Sequence, residues 1–349
     1  MPGPDKITLR RPDDWHLHVR DGSMMAAVVP FTARRFARAI IMPNLVPPVT
    51  TIEQAIAYRE RILRTVPQEE DFNPLMTCYL TDTADADEIA RGHAEGVFAA
   101  VKLYPAGATT NTDAGVTDLS RVSGALERMQ EIGMPLLVHG EATDPEVDVY
   151  DREAVFIDRV LLPLMVDFPA LKVVFEHVTT EQAVQFVSES SERLAATVTP
   201  HHLFINRNAM FESGIRPHMY CLPVAKRERH RLALRRAVTS GDARFFLGTD
   251  SAPHAASAKE SACGCAGIFS APSALELYAQ VFNEEGAIDK LEAFASFNGP
   301  AFYGLPVNEE TITLNREVTS HPPEVTTTED DILKPFFVNE PLQWTVQGD

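Results

Sequence analysis

Five side chains that can bind a metal ion stand at the ends of apolar stretches in this sequence of 349 residues. His16 and His18 lie two positions apart, and residues with that spacing on a strand point to the same face. His139 closes Pro-Leu-Leu-Val-His, His177 closes Val-Val-Phe-Glu-His, and Asp250 follows Phe-Phe-Leu-Gly-Thr. Imidazole and carboxylate groups bind zinc-like ions in catalytic sites, so this set predicts a metal centre.

A lysine in a similar position allows two interpretations. Lys102 lies in Ala-Val-Lys-Leu-Tyr-Pro, where its ammonium group could contact solvent or a substrate carboxylate. Positive charge beside metal ions is unfavourable. A neutral amine that adds carbon dioxide would instead become a carbamate, whose two oxygens could bridge two cations. The residues alone leave both interpretations open.

Short apolar stretches alternate with amphipathic ones along the chain, which predicts an α/β fold. Eight strands are predicted, at residues 15–19, 39–42, 75–80, 98–103, 135–139, 172–177, 195–199 and 245–248. Helices are predicted between them, at residues 51–65, 85–95, 119–132, 154–167, 180–190 and 226–239. The pattern fits a (β/α)8 TIM barrel, and a doubly wound open sheet is the alternative. The polar residues favour the barrel, because the carboxyl ends of its strands converge on one mouth.

The predicted barrel accounts for most of the chain. We expect a single domain over residues 1–349, with the barrel at about 10–305 and an extension at about 306–349. The extension is acidic and rich in Pro and Thr, and we interpret it as a tail that wraps the surface, with a short helix near Ala293 before it.

Composition excludes several classes of protein. Hydrophobic residues make up 45% of the chain and charged residues 23%, as in globular proteins. The formal net charge of -18 and the lack of a long basic run argue against binding to nucleic acid or an anionic membrane. The chain contains no apolar run long enough for a membrane span. Four cysteines without a disulfide-like pattern favour a reducing, cytoplasmic setting.

Beyond these patterns, a series of motifs resembles the short, single-domain bacterial dihydroorotases of the amidohydrolase superfamily. The matching stretches are Asp-Trp-His-Leu-His-Val-Arg-Asp-Gly at 14–22, Met-Pro-Asn-Leu at 42–45, Val-Lys-Leu-Tyr-Pro at 101–105, Leu-Leu-Val-His-Gly-Glu at 136–141, Glu-His-Val-Thr-Thr at 176–180, Thr-Pro-His-His-Leu at 199–203, Gly-Thr-Asp-Ser-Ala-Pro-His at 248–254 and Glu-Ser-Ala-Cys-Gly-Cys-Ala-Gly at 260–267. They run in order through most of the predicted barrel, and this ordered set is far more specific than a single His-x-His.

The resemblance implies a role for each matching residue. Two divalent ions, with zinc as the expected metal, would be bound by His16, His18, Lys102, His139, His177 and Asp250. Lys102 would be carboxylated and would bridge the ions together with a hydroxide. The substrate would be held by Arg20, Asn44, Thr109, Thr110, Leu222, His254 and Ala266, with the two threonines on a mobile loop. Arginine offers a planar fork that matches a carboxylate, an independent reason for the role of Arg20.

The implied reaction is the interconversion of N-carbamoyl-L-aspartate and L-dihydroorotate, which in pyrimidine biosynthesis runs toward the ring. Asp250 would act as the general base and then the general acid. The resemblance also implies a homodimer. Two alternatives remain: another cyclic-amide hydrolase, such as a hydantoinase or allantoinase, and a catalytically inactive barrel that serves as a structural partner.

Overall fold

Eight parallel strands form the centre of the protein and close into a barrel. The computed structural model describes residues 4–318, 322–336 and 341–348. In barrel order the strands are β2 (Asp13–Leu17), β3 (Arg38–Ile41), β4 (Asn73–Tyr79), β5 (Phe98–Leu103), β6 (Leu136–His139), β7 (Val173–Glu176), β8 (Leu194–Val198) and β9 (Phe245–Leu247). The barrel closes where the Asp250 amide donates to the carbonyl of His16 at 2.9 Å and the His18 amide donates to that of Ser251 at 3.1 Å. The predicted TIM barrel is confirmed.

Helices connect these strands and cover the outside of the barrel. They are α1 (Gly22–Arg35), α2 (Ile52–Leu63), α3 (Ala86–Ala94), α4 (Ser123–Ile132), α5 (Arg152–Phe156), α6 (Leu162–Asp167), α7 (Glu181–Glu189), α8 (Pro200–Phe204), α9 (Glu228–Val238), α10 (Ala256–Lys259), α11 (Ala274–Glu284) and α12 (Asn298–Tyr303). A π-helical stretch, Ile157–Leu161, joins α5 to α6, and another, Ala293–Phe297, leads into α12. The six predicted helices are all present, whereas the long helices α1 and α11 and the short helices α8 and α10 were not predicted.

Local signals in the sequence explain two helix ends. Thr51 caps α2 through a capping box, in which its side chain accepts from the amide of Gln54 and the Gln54 side chain reaches back. Helix α4 ends at Gly133, whose φ of 71° lies in the left-handed region that glycine adopts without strain.

An apolar layer fills the inside of the barrel and supports the polar residues above it. Each strand contributes one side chain to this layer: Trp15, Ile40, Leu75, Ala100, Leu137, Val174, Ala195 and Phe246. Tyr303 of α12 stacks on Trp15 with ring centroids 4.3 Å apart and so covers one end of the layer. Side chains alternate along a strand, so the residues two positions beyond this layer also point inward. Lys102, His139 and Glu176 occupy such positions.

The C-terminal part of the chain is more integrated than a surface tail. Strand β10 (Thr311–Asn315) lies between β1 (Lys6–Arg10) and β13 (Thr345–Val346), while β11 (Val325–Thr326) pairs with β12 (Ile332–Leu333). Leu314, Leu333 and Trp344 are completely buried. Parts of the predicted extension, residues 319–321, 337–340 and 349, lie outside the described residues.

Candidate active site

The first group of predicted ligands comes together at the closure of the barrel. The Nε2 atoms of His16 and His18 are 3.3 Å apart, and each lies 3.2 Å from Oδ1 of Asp250. All three side chains are buried. Because the three ligand atoms converge from two neighbouring strands, they can contact a single cation.

A buried glutamate that the sequence analysis did not select connects this group to the predicted bridging lysine. Oε1 of Glu176 lies 2.9 Å from Nδ1 of His16, and Lys102 Nζ donates a short hydrogen bond to Oε2 of the same carboxylate. Both Glu176 and Lys102 are completely buried. Glu176 could have been noticed in the sequence, because a charged residue closing an apolar strand needs a partner when buried.

The remaining two predicted ligands face the first group across the mouth of the barrel. The ring centroid of His177 lies 4.8 Å from that of His139 and 4.9 Å from that of His16. Nε2 of His139 lies 2.8 Å from Oε2 of Glu141. Such a carboxylate commonly fixes the orientation of a metal-binding imidazole. All six predicted ligands therefore lie around one small region.

Backbone strain accompanies three of the predicted functional residues. Arg20, His177 and Asp250 have φ values of 60°, 42° and 43°, in the left-handed region that residues with a Cβ seldom adopt. Strained positions of this kind cluster at functional sites, where the surrounding structure holds them in place. Here Asp14 provides part of that support, since its carboxylate accepts from the Thr249 amide at 2.8 Å and from the Thr249 hydroxyl at 2.6 Å.

The electrostatics of the site favour a bound cation. Burial alone would raise the pKa of Asp250, but His16 and hydrogen bonds from His16 and His18 outweigh it and hold that pKa well below its usual value. Burial would lower the pKa of His16, yet the negative charges of Glu176 and Asp250 raise it to about 9. The site thus combines anionic carboxylates with several imidazoles.

One orphaned atom also fits a metal centre. Nδ1 of His177 is buried and has no hydrogen-bond partner among the described residues. A buried polar atom without a partner is uncommon and calls for a ligand, ion or water. Together with the imidazole and carboxylate donors, this atom shows that the residues present suit divalent ions such as zinc.

The predicted substrate-binding residues surround the same region. Arg20, Asn44, Thr109, Thr110, Leu222 and Ala266 line a small cavity together with the predicted histidines and Asp250. His254 lies beside it, with Nε2 placed 2.9 Å from Nη2 of Arg20 and 3.0 Å from the carbonyl oxygen of Ala266. Burial, followed by the charge of Arg20, lowers the pKa of His254 to about 3, so this imidazole is neutral.

The loop that follows β5 lies against this cavity. Nδ2 of Asn44 donates to the carbonyl of Thr110 at 3.0 Å, and the Thr110 hydroxyl lies 3.5 Å from the carbonyl oxygen of Ala266. Asn111 returns a hydrogen bond from its Nδ2 to the carbonyl of Asn44 at 3.1 Å. The loop is therefore in contact with residues on two sides of the site.

A second group of metal-binding residue types, His201, His202 and Cys221, lies nearby, but His202 and Cys221 are engaged in other contacts. Nε2 of His202 and the thiol of Cys221 lie 3.0 Å and 3.3 Å from the carbonyl oxygen of Pro223, which fits two proton donors. Donors in this arrangement have no lone pair directed at a cation.

Comparison with known proteins identifies the family. The model of the amidohydrolase family matches residues 14–316. A dihydroorotase of Synechococcus sp. is 62% identical over 343 residues, covering 98% of both chains. The crystal structure of a dihydroorotase from Campylobacter jejuni superposes with a TM-score of 0.90 at 35% identity, covering 98% of each chain. A dihydroorotase from Saccharomyces cerevisiae, solved in complex with 5-fluoroorotic acid, gives 0.90 at 33% identity and covers 99% of each chain.

The chain belongs to the amidohydrolase family, and it is a metal-dependent cyclic amidohydrolase that acts on a small-molecule substrate. Relatives that are 62–63% identical over nearly its whole length are dihydroorotases. Its function is accordingly that of a dihydroorotase, as the sequence motifs predicted, and the hydantoinase-like and inactive-barrel alternatives are not favoured.

Proposed function

We propose that the chain interconverts L-dihydroorotate and N-carbamoyl-L-aspartate at a centre of two zinc ions. The observation that carries this proposal is the convergence of His16, His18 and Asp250 within 3.3 Å of one another at the mouth of a barrel whose close relatives are dihydroorotases. His16, His18 and Asp250 would hold one ion, and His139 and His177 the other. Bound ions of this kind polarise a carbonyl and lower the pKa of water.

Lys102 is proposed to be carboxylated on its amine and to contact both ions. Burial lowers the pKa of this lysine more than Glu176 raises it, and the neutral amine is the form that adds carbon dioxide. The Nζ atom retains one hydrogen after carboxylation and can still donate it to Glu176. The modification would therefore keep the contact with Glu176 and replace a cation by an anionic group with two donor oxygens.

Asp250 is the proposed general acid and base. During ring opening it would accept the proton of the attacking water and deliver it to the departing amide nitrogen. In the direction of ring closure it would take the proton of the ureido nitrogen as that nitrogen attacks the side-chain carboxyl carbon, and would pass it to the carboxyl oxygen that leaves this carbon as hydroxide. The depressed pKa keeps Asp250 ionised in the resting site, so it is ready to accept the first proton.

The substrate is proposed to bind through its carboxylate and its amide edges. Arg20 and Asn44 would hold the carboxylate, with His254 beside them. Main-chain groups of Leu222 and Ala266 would contact the ring amides. Thr109 and Thr110, on the loop that lies against Asn44 and Ala266, would close the site and exclude water during the reaction.

Three broader features belong to the same proposal. The chain would act as one domain, with the barrel at about 10–305 and an extension at about 306–349. It would form a homodimer. It would work in the cytoplasm. Separately, among the described residues no helix combines the length and apolarity needed to cross a bilayer.

A substrate panel tests the proposed reaction. Purified protein would be assayed with L-dihydroorotate, hydantoin and allantoin at matched concentrations. We expect turnover of L-dihydroorotate, measured as the loss of its ultraviolet absorbance, and little or no turnover of hydantoin or allantoin. A preference for hydantoin or allantoin would contradict the proposed substrate, because Arg20 and Asn44 are expected to select a ring that carries a carboxylate.

A further inference from the structure

A buried lysine outside the proposed metal centre holds three backbone carbonyls together. Lys259, the last residue of α10, is 3% exposed. Its ammonium group donates to the carbonyls of Tyr220 at 3.1 Å, Cys265 at 2.8 Å and Gly267 at 2.7 Å. An ammonium group has three N–H donors, so these contacts use its full capacity.

The three carbonyls belong to two chain segments that are expected to bind the substrate. Cys265 and Gly267 flank Ala266, and Tyr220 is two residues before Leu222. The Gly267 amide also donates to the carbonyl of Tyr220 at 3.1 Å, so the two segments meet where Lys259 contacts them.

We propose that Lys259 is a positioning residue, which fixes the backbone at Leu222 and Ala266 so that both can contact the substrate. The identity of that substrate rests on the proposed function. The structural role of Lys259 is independent of it.

The conformation of the segment around Ala266 explains why it needs such support. Cys265 has a φ of 25° and Gly267 a φ of 153°, neither of which is a relaxed conformation for a residue with a side chain. A Cβ added at Gly267 would lie 2.5 Å from the carbonyl oxygen of Ala252, so the segment passes very close to its neighbour. Without Lys259, three partly or fully buried carbonyls would each lose a donor.

The same lysine influences the contacts between the loop and the site. The carbonyl oxygen of Ala266 lies 3.0 Å from Nε2 of His254 and 3.5 Å from the hydroxyl of Thr110. If the segment moves, these contacts move with it. Binding of the substrate is therefore expected to weaken more than the chemical step.

The charge of Lys259 makes this role depend on pH. Burial lowers the pKa of Lys259 to about 8, and the groups that face it are the thiols of Cys221 and Cys265, the guanidinium of Arg20 and the imidazoles of His254 and His218. Below this pKa the ammonium group serves all three carbonyls. Above it the neutral amine has two N–H donors, so one carbonyl loses its hydrogen bond and KM should rise.

Three variants test the proposal. Lys259→Met removes the donors and keeps the length of the side chain, and Lys259→Arg keeps a positive charge at all relevant pH values. Lys334→Met is the matched control, because Lys334 is a nearby lysine whose Nζ lies 2.6 Å from the Glu260 carboxylate and makes no contact with the three carbonyls.

We expect Lys259→Met to raise KM for L-dihydroorotate roughly tenfold or more, since charged hydrogen bonds are lost, while kcat stays within about threefold. Hydrogen exchange of the amides at 260–267 should be faster in this variant. Lys334→Met should match the wild type in both measurements. An unchanged KM in Lys259→Met, or faster exchange without a change in KM, would overturn the proposal.

The pH profile covers the case in which Lys259→Met does not fold. Wild-type KM should rise between about pH 7 and 9.5 with a midpoint near the pKa of Lys259, and Lys259→Arg should lack the rise. A flat wild-type profile, or the same rise in Lys259→Arg, would contradict the role of Lys259.

Hydrogen exchange needs no substrate and separates the two proposals. If the wild type does not turn over L-dihydroorotate, the proposed function fails. In that case, faster exchange at 260–267 in Lys259→Met would still support the role of Lys259 in fixing the backbone. Unchanged exchange would overturn that role in addition to the proposed function.

Discussion

Replacing Glu176 by glutamine is predicted to weaken metal binding without removing a proposed ligand. The carboxylate of Glu176 has a neighbour at both ends: Oε1 lies 2.9 Å from Nδ1 of His16, and Oε2 accepts a hydrogen bond from Lys102 Nζ. A carboxamide of the same shape turns one of those ends into a donor that faces another donor. His16 or Lys102 must then rotate away, and the oriented set of ligands is lost.

The size of this effect follows from the kind of contact that is lost. Removing the partner that orients a metal ligand typically reduces metal affinity by about 10- to 100-fold. That range corresponds to about 1.4 to 2.7 kcal/mol of binding free energy. The apparent affinity would be measured by competition with a chromophoric chelator, and kcat/KM would be measured on fully loaded enzyme.

Glu276→Gln is the control for this experiment. Glu276 is also completely buried, and its Oε1 lies 2.7 Å from Nη2 of Arg35 on the outer side of the barrel. This variant should lose stability but keep the metal affinity of the wild type. If Glu176→Gln bound metal within about twofold of the wild type, Glu176 would not orient the ligands and the reasoning would be refuted.

Three further substitutions are predicted to have separable effects. Lys102→Ala should abolish turnover and lower the metal content. A carbamate signal from ¹³C-labelled bicarbonate should be present only in the wild type. Retained turnover in the variant would contradict the bridging role of Lys102. Arg20→Met should lower kcat/KM about 10- to 100-fold through lost charged hydrogen bonds, and kinetics within threefold of wild type would contradict its role in binding the substrate. Gly299→Ala should destabilise the fold by about 1–3 kcal/mol, because the new Cβ would lie 2.0 Å from Nε1 of Trp15. In the control, Gly124→Ala, the new Cβ has no neighbour within 4 Å, so the melting temperature should be at or above that of the wild type. Equal melting temperatures for the two variants would contradict this packing.

The strands of the barrel could be predicted because each is a short apolar run that ends in a polar residue. This pattern located His139 and His177 as well as the strands, since the ends of parallel strands meet in one place. Helix α11 was missed for the opposite reason. Its first nine residues, Ala-Leu-Glu-Leu-Tyr-Ala-Gln-Val-Phe, are all buried, so its polar residues Glu276 and Gln280 do not mark a solvent-exposed face.

Other parts of the site depend on contacts that the sequence pattern does not encode. The carboxylate of Glu176 lies against side chains 160 and 74 positions away, and nothing near it in the chain indicates that they meet. In the sequence, Lys259 looks like an ordinary polar residue, because its role depends on how the backbone around Cys265 and Gly267 folds over it. The burial of Trp344 likewise depends on the pairing of β10 with β1 across the length of the chain.

A titration of metal-free protein with zinc, in which the rate of L-dihydroorotate hydrolysis is measured at each step, shows how many ions the reaction needs. If two ions at the strand ends carry the reaction, activity should be absent without metal and should rise until about two equivalents are bound per chain. Full activity at one equivalent, or turnover that is independent of added metal, would contradict the proposed two-ion centre.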